Sequence, residues 1–294
     1  MNSRLKQTFL GYSFLLPSLV AVLAFSMLPL LASIVVSFTD WNYAKGFGNW
    51  NFVGLSNYAD LWKDEWFIVS IKNTIFFTIV TVPLGLILAL VIAILIDYSM
   101  RDRLANILRV TMYMPNICNI VATSAVWMMM LSPYGPFTQM VRALGWSNPP
   151  KWLADYDWAL PAIMLVSIWS NLGYRVFIYG ASIQGVPSDI YEAAEIDGAN
   201  FWQRSLYVTV PLLAPTTFFL SLTGIIASFK VFGTINVMTQ GGPGNSTYTL
   251  VYYIYKAAFS YYKMGYASSI AVVLFIMLLI ITIIQWTSKS QQED

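Results

Sequence analysis

The chain has 294 residues, of which 57% are hydrophobic, 16% aromatic and only 10% charged, and its net charge is +2. Soluble domains carry roughly 25% charged residues, so an ordinary soluble fold is excluded, and so small a charge on scattered basic residues gives no nucleic-acid footprint. With no histidine and a single cysteine, Cys118, inside an apolar run, neither a disulfide framework nor a Cys/His metal site is available. The expectation is an all-α, polytopic membrane protein, a single domain over 1–294, with no catalytic or metal site.

Arg4 and Lys6 precede an apolar stretch over 9–38, which exceeds the about 20 residues a bilayer requires and the about 7–15 of a signal-peptide core. Pro17 and Pro29 bound or kink this first span. The polar segment 40–66, rich in Gly, Trp and Tyr, suits a membrane interface. A second span covers 73–96, with Pro83 and Gly85 near its middle, and Arg101, Arg103 and Arg109 follow in a short turn. That turn is cytoplasmic by the positive-inside rule. The third span, 110–131, contains Pro115, Asn116, Cys118 and Asn119; a polar loop over 132–157 leads to the fourth, 158–183, with Trp169, Asn171, Tyr174 and Arg175.

Between the fourth and fifth spans lies YEAAEIDGANFWQRSLYVTVPLLAP, Tyr191 to Pro215, too regular in pattern for a mere connector. Pro187 stops the preceding helix and Ser188 is placed to cap the next, with Asp189 and Glu192 in its first turn, where the dipole favours negative charge. Ala193 and Ala194 let another surface approach closely, and Gly198 is placed as a left-handed C-cap residue. A second helix from Asn200 turns apolar at Leu206, and Pro211 and Pro215 mark its entry into the membrane. The fifth span, 210–236, ends in the turn sequence 239–244, and the sixth covers 265–286. Both termini then lie inside: Arg4, Lys6, Arg101, Arg103, Arg109, Arg204 and Lys289 are cytoplasmic, against Lys45, Lys63, Arg142, Lys151, Lys256 and Lys263 outside. The bias is slight by number and clearer per length of loop.

Glu192-Ala193-Ala194, Asp197-Gly198-Ala199 and Val210-Pro211 with Pro215 resemble the cytoplasmic EAA loop of bacterial ABC importer permeases, with Val210 replacing the usual leucine. Phe52-Val53-Gly54-Leu55 with Asn57-Tyr58 is similar to a segment before the second helix in the carbohydrate branch of that family. Ser228 to Phe232, Val237 to Thr239 with Gly241-Gly242-Pro243, Thr249 to Tyr255 with Ala258-Phe259, and Gly265 to Ser268 follow the order found in its di- and oligosaccharide and glycerol-phosphate members. The resemblance implies one transmembrane subunit of a sugar importer in the bacterial cytoplasmic membrane. Its partners would be a second homologous permease, two ATPase subunits that use ATP and Mg, and an extracellular or periplasmic solute-binding protein. Glu192, Ala193, Ala194, Asp197, Gly198, Ala199 and Pro211 would couple ATP hydrolysis to alternating access.

Physical arguments agree. No phosphate-cradling G-x-x-x-x-G-K-[ST] occurs, so ATP must be used by a partner. The six spans carry no carboxylate relay, with Asp97 and Asp157 at ends, which argues against an ion-coupled secondary carrier. A membrane enzyme would lack general acids and bases. A sugar needs polar partners and aromatic faces along its path, and Asn116, Asn119, Trp169, Asn171, Tyr174, Arg175, Phe229, Lys230 and Asn236 are the mid-span candidates. The same residues are also suited to bonding between helices. Arg175 and Lys230 would attract an anionic cargo, a uronate saccharide or phosphorylated polyol, if they face the cavity; otherwise they snorkel or bond backbone carbonyls. A neutral sugar is the first choice.

Overall fold

A backbone crossing lipid must satisfy its own hydrogen bonds, and the helix does so within one segment. Helices supply every regular element among the described residues, 3–46, 48–99 and 102–293 of this computed structural model. Five are long and apolar enough to cross a membrane: Phe14–Val36, Glu65–Tyr98, Ala159–Gln184, Ala214–Met238 and Met264–Thr287. Arg101 lies outside the described residues, as do the side chains of Arg4, Lys6, Arg103 and Lys289.

Helix α1 occupies residues 3–36, passing from Ser3–Val22 through a π turn, Leu23–Met27, into Leu28–Val36. Then come α2 (Ser56–Leu61), α3 (Glu65–Ser99), α4 (Asp102–Ile117), α5 (Ile120–Met130) and α6 (Pro136–Ala143). They are followed by α7 (Ala159–Gln184), α8 (Ser188–Ile196) and α9, residues 201–212 with a π turn at Ser205–Thr209. The last are α10 (Ala214–Phe229), α11 (Gly233–Met238), α12 (Leu250–Tyr255) and α13 (Met264–Glu293).

Two expected spans are interrupted. The third, over 110–131, is two helices: Asn119 is extended at φ −60, ψ 130, and its side chain accepts the Val121 N–H, so α5 starts afresh. Cys118 is exposed at this break rather than buried. Arg109, expected in a turn, lies within α4 and is buried, its Nη2 3.5 Å from Asp97 Oδ1. The fifth span breaks at Lys230 to Phe232, between α10 and α11. The loop over 132–157 holds α6 and an aromatic cluster of Phe137, Trp146, Trp152 and Trp158, with the buried Trp152 indole donating to Thr138.

The chain divides into two compact units, one from Met1–Glu65 and Tyr253–Met277, the other from Trp66–Tyr252 and Leu278–Asp294. In the first, Asn57 Nδ2 donates to the carbonyls of Ser37 and Thr39 at 2.8 and 2.9 Å, and Tyr58 meets the Ser37 hydroxyl at 2.6 Å. The Asn-Tyr pair after the Phe-Val-Gly-Leu segment therefore fixes the exit from α1. Gly265 lies against the same strand-like stretch: a Cβ there would meet the Thr39 carbonyl at 1.9 Å. In the second unit the core is drawn from α3, α4, α7 and α10, with Ala89, Ala93, Val176 and Tyr179 fully buried. Helices α4 and α7 approach closely because Gly173 faces the Met112 carbonyl and Gly180 receives the Arg109 side chain, the small-residue logic of packing in lipid.

Candidate functional site

Two helical faces wall a cavity of about 420 Å³ in the second unit. On α7, Ser167, Asn171, Tyr174 and Arg175 line it; on α10, Leu220, Thr223, Gly224, Ala227 and Ser228 do. Both sets repeat at three- and four-residue spacing, which puts them on one side of a helix. Phe77 and Thr81 of α3 close one side, and the break after α10 adds Lys230 and Phe232. Lys230 is the C-cap residue of α10, at the break beside the cavity.

The guanidinium of Arg175 is bedded between two glycines. A Cβ on Gly85 would fall 1.6 Å from Nη1, and one on Gly224 would fall 3.4 Å from Nη2. The side chain is 8% exposed, and Nη1 donates to the Thr81 carbonyl at 3.2 Å. Asn171 donates to the Ser167 carbonyl at 2.8 Å. A neighbouring cavity of about 170 Å³ shares Asn171 and Ser167 and adds Asn116. Of the nine candidates for a path, Asn171, Tyr174, Arg175 and Lys230 meet in one cavity, with Asn116 next to it. The other four stand apart: Asn119 caps α5, Phe229 is buried, Trp169 packs edge-on to Trp127 at 5.3 Å, and Asn236 is half-buried and lines neither cavity. Gly85 and Gly224 were the residues to notice, since a glycine in an apolar helix interior costs about 1 kcal/mol against alanine unless something must come close.

The segment after α7 is a helix, a bend and a helix. Helix α8 begins at Ser188 with Pro187 as its N-cap; no side chain caps it, and Ser188 Oγ instead meets Asp189. Gly198 adopts φ +79. Its N–H donates to Glu195 O at 3.0 Å and that of Ala199 to Ala194 O at 2.9 Å, the paired bonds of a Schellman motif. Asn200 and Gln203 then form a reciprocal capping box for α9. Glu192, Ala193, Asp197 and Gly198 are exposed, Ala194 and Ala199 half-buried. Between the acidic residues stands Ile196, 87% exposed, an apolar knob within the segment that carries the resemblance, where one apolar residue among charged ones gave no separate signal. Behind the bend, the Arg204 guanidinium lies 5.3 Å from the Tyr98 ring and 5.8 Å from that of Tyr191, and 3.9 Å from the Glu195 carboxylate. Phe201 packs on Tyr98 at 4.4 Å.

A third cavity, of about 670 Å³ in the first unit, is lined by Asp40, Asp60, Asp64, Lys63, Tyr253 and Tyr266 among others. Asp64 accepts from the hydroxyls of Tyr253 and Tyr266. Burial, then the Asp64 carboxylate, push the Tyr253 hydroxyl above its ordinary pKa, so it stays a donor. Tyr253 and Tyr266 lie in segments that carry the resemblance, but nothing in the sequence joined them to Asp64, 189 and 202 positions away.

Residues 81–289 match the family model for the binding-protein-dependent transport system inner membrane component. The chain is 30% identical over 287 residues to the lactose transport system permease protein LacF of Rhizobium radiobacter, covering 96% of this chain and 95% of that protein. It is 31% identical over 275 residues to the probable starch degradation products transport system permease protein AmyD of Thermoanaerobacterium thermosulfurigenes, covering 92% and 91%. A solved bacterial ABC transporter involved in the import of the acidic polysaccharide alginate has a chain that superposes with a TM-score of 0.85 at 22% identity, over 98% of this chain and 97% of that one. This last likeness establishes the fold.

Proposed function

The chain belongs to the family of binding-protein-dependent transport system inner membrane components, and from that premise we propose that it is the permease subunit of an ATP-driven importer that moves a sugar or oligosaccharide across the bacterial cytoplasmic membrane by alternating access. The observation that carries the coupling is the uncovered face of α8, where Glu192, Ala193, Asp197 and Gly198 surround the protruding Ile196. An isoleucine left 87% exposed on a polar helix outside the spans is apolar area that a docked surface would take out of water. That surface is an ATPase subunit, which uses ATP and Mg; this chain binds neither. A second homologous permease and an external solute-binding protein complete the assembly, both termini of the chain lie in the cytoplasm, and its two units act as one transmembrane domain.

The test is co-purification from native membranes in mild detergent, with saccharide-stimulated ATP hydrolysis as readout. A P-loop ATPase and a second permease are expected with the wild type, and loss of the ATPase alone with Ile196→Asp. A wild-type chain that remains alone, with uptake that follows an ion gradient instead, overturns the reading.

A further inference from the structure

Within the importer reading, on which this inference rests, we infer that the cavity between α7 and α10 is selective for an acidic saccharide or polyol, with Arg175 taking the oxyanion. A guanidinium offers five N–H donors, and Arg175 uses one of its nitrogens on Thr81. Among the described residues it forms no ion pair, and none of its nitrogens belongs to the sealed, unpartnered side-chain atoms, Arg109 Nε, Ser246 Oγ and Gln285 Oε1. Nε and Nη2 are therefore not sealed off, and the residue lines the cavity. Lys230 lines the same cavity and is exposed, while no Asp or Glu lines it. Two cations thus face one space without a counter-charge.

Arg109, also buried among the described residues, shows a cation held within the protein by its own partners. Arg109, 6% exposed, lies 3.5 Å from Asp97 and 3.4 Å from Asn106 Oδ1. An unpaired cation at membrane depth is costly, yet among the described residues Arg175 is kept without an ion pair. A bound oxyanion supplies the missing charge, and the planar fork matches a carboxylate or phosphate with two parallel hydrogen bonds. The rest of the lining suits a sugar. Asn171 commits its amide nitrogen to Ser167 and leaves its oxygen to accept from a hydroxyl, and the half-buried Tyr174 and Phe232 add aromatic side chains to the lining. The glycine bed makes the arrangement position-dependent, because any Cβ at Gly85 pushes the guanidinium off its seat.

The experiment is equilibrium binding to the whole purified permease–ATPase complex without its binding protein, so that the permease's own preference is read. The probes are digalacturonate, its carboxyl-reduced neutral counterpart, and glycerol 3-phosphate. The expected result is at least a ten-fold preference for one anionic probe over the neutral disaccharide; which anion wins separates carboxylate from phosphate. Arg175→Gln should collapse that ratio toward one, and Arg175→Lys should restore part of it. Gly85→Ala, which displaces the guanidinium but keeps its charge, should lower the ratio several-fold and serves if Arg175→Gln does not assemble. A complex whose ATP hydrolysis responds to a neutral sugar and whose probes show no anionic preference overturns this inference and leaves the importer reading standing. An anionic preference that survives both Arg175→Gln and Gly85→Ala also overturns it. Absence of any ATPase partner from the wild-type preparation is the separate failure of the importer reading.

Discussion

Gly198 is the residue at which backbone conformation alone should decide coupling. Nothing lies within 4 Å of where a Cβ would stand, yet φ is +79, so an alanine there meets no clash and bears only the left-handed cost, about 1–2 kcal/mol. That reduces the population of the ordered bend by a factor of about 5–30. Asparagine, which tolerates this region, should cost less. Proline is different in kind. Its ring holds φ near about −65° and removes the N–H, so Glu195 O loses its 3.0 Å partner and the Schellman pair cannot form. The assay is the reconstituted complex, with stimulated ATP hydrolysis and substrate uptake measured side by side and the membrane level of each variant checked. Uptake per ATP should fall in the order Asn, Ala, Pro, with Gly198→Pro uncoupled, and Glu192→Arg should uncouple in the same way. Normal coupled uptake by Gly198→Pro, at an unchanged membrane level, would refute the reasoning.

Gly173→Ala places a methyl 1.7 Å from the Met112 carbonyl, so α4 and α7 must separate. Overpacking of this kind costs about 1–3 kcal/mol, and an unchanged melting temperature of the detergent-solubilised complex would contradict the close approach. Arg204→Leu removes the cation between Tyr98 and Tyr191, contacts worth about 0.5–1 kcal/mol each at exposed sites. Coupling should weaken and be partly restored by Arg204→Lys; equal uptake per ATP in all three proteins counts against any role in holding the bend. Asn51, by its backbone N–H at 2.5 Å and then its side chain, holds the Asp40 carboxyl below its ordinary pKa. A lowered folded pKa stabilises above the unfolded value and is lost as pH falls through the folded one. The protection of the Asn51 amide, taken as its exchange relative to the intrinsic rate at each pH, should therefore fall on acidification below about pH 4, and Asp40→Asn, which keeps an acceptor, should abolish that dependence.

The helical class and most of the span positions were legible because lipid admits few solutions: an apolar run of sufficient length must be helical, and Ala159–Gln184 and Met264–Thr287 lie within a residue or so of where composition put them. Gly198 was legible for a different reason, since a glycine just past a helical run has one common use. The interruptions were not. Hydropathy averages over Asn119 and Lys230, and only the local geometry of a cap shows that a chain this apolar stops and restarts.

A multi-pass helical chain, and the helix, bend and helix between its fourth and fifth spans, follow from run length, caps and residue order, because all of these are local. Only the packing of helices shows that Arg175 lies on Gly85, 90 positions away, that among the described residues Arg109 has an ion pair and Arg175 has none, and that four of the nine polar and aromatic candidates share a cavity. A residue's helical face follows from its spacing, but what that face meets depends on how neighbouring helices cross. In lipid that crossing is set by small-residue contacts and buried polar partners, which hydropathy does not record.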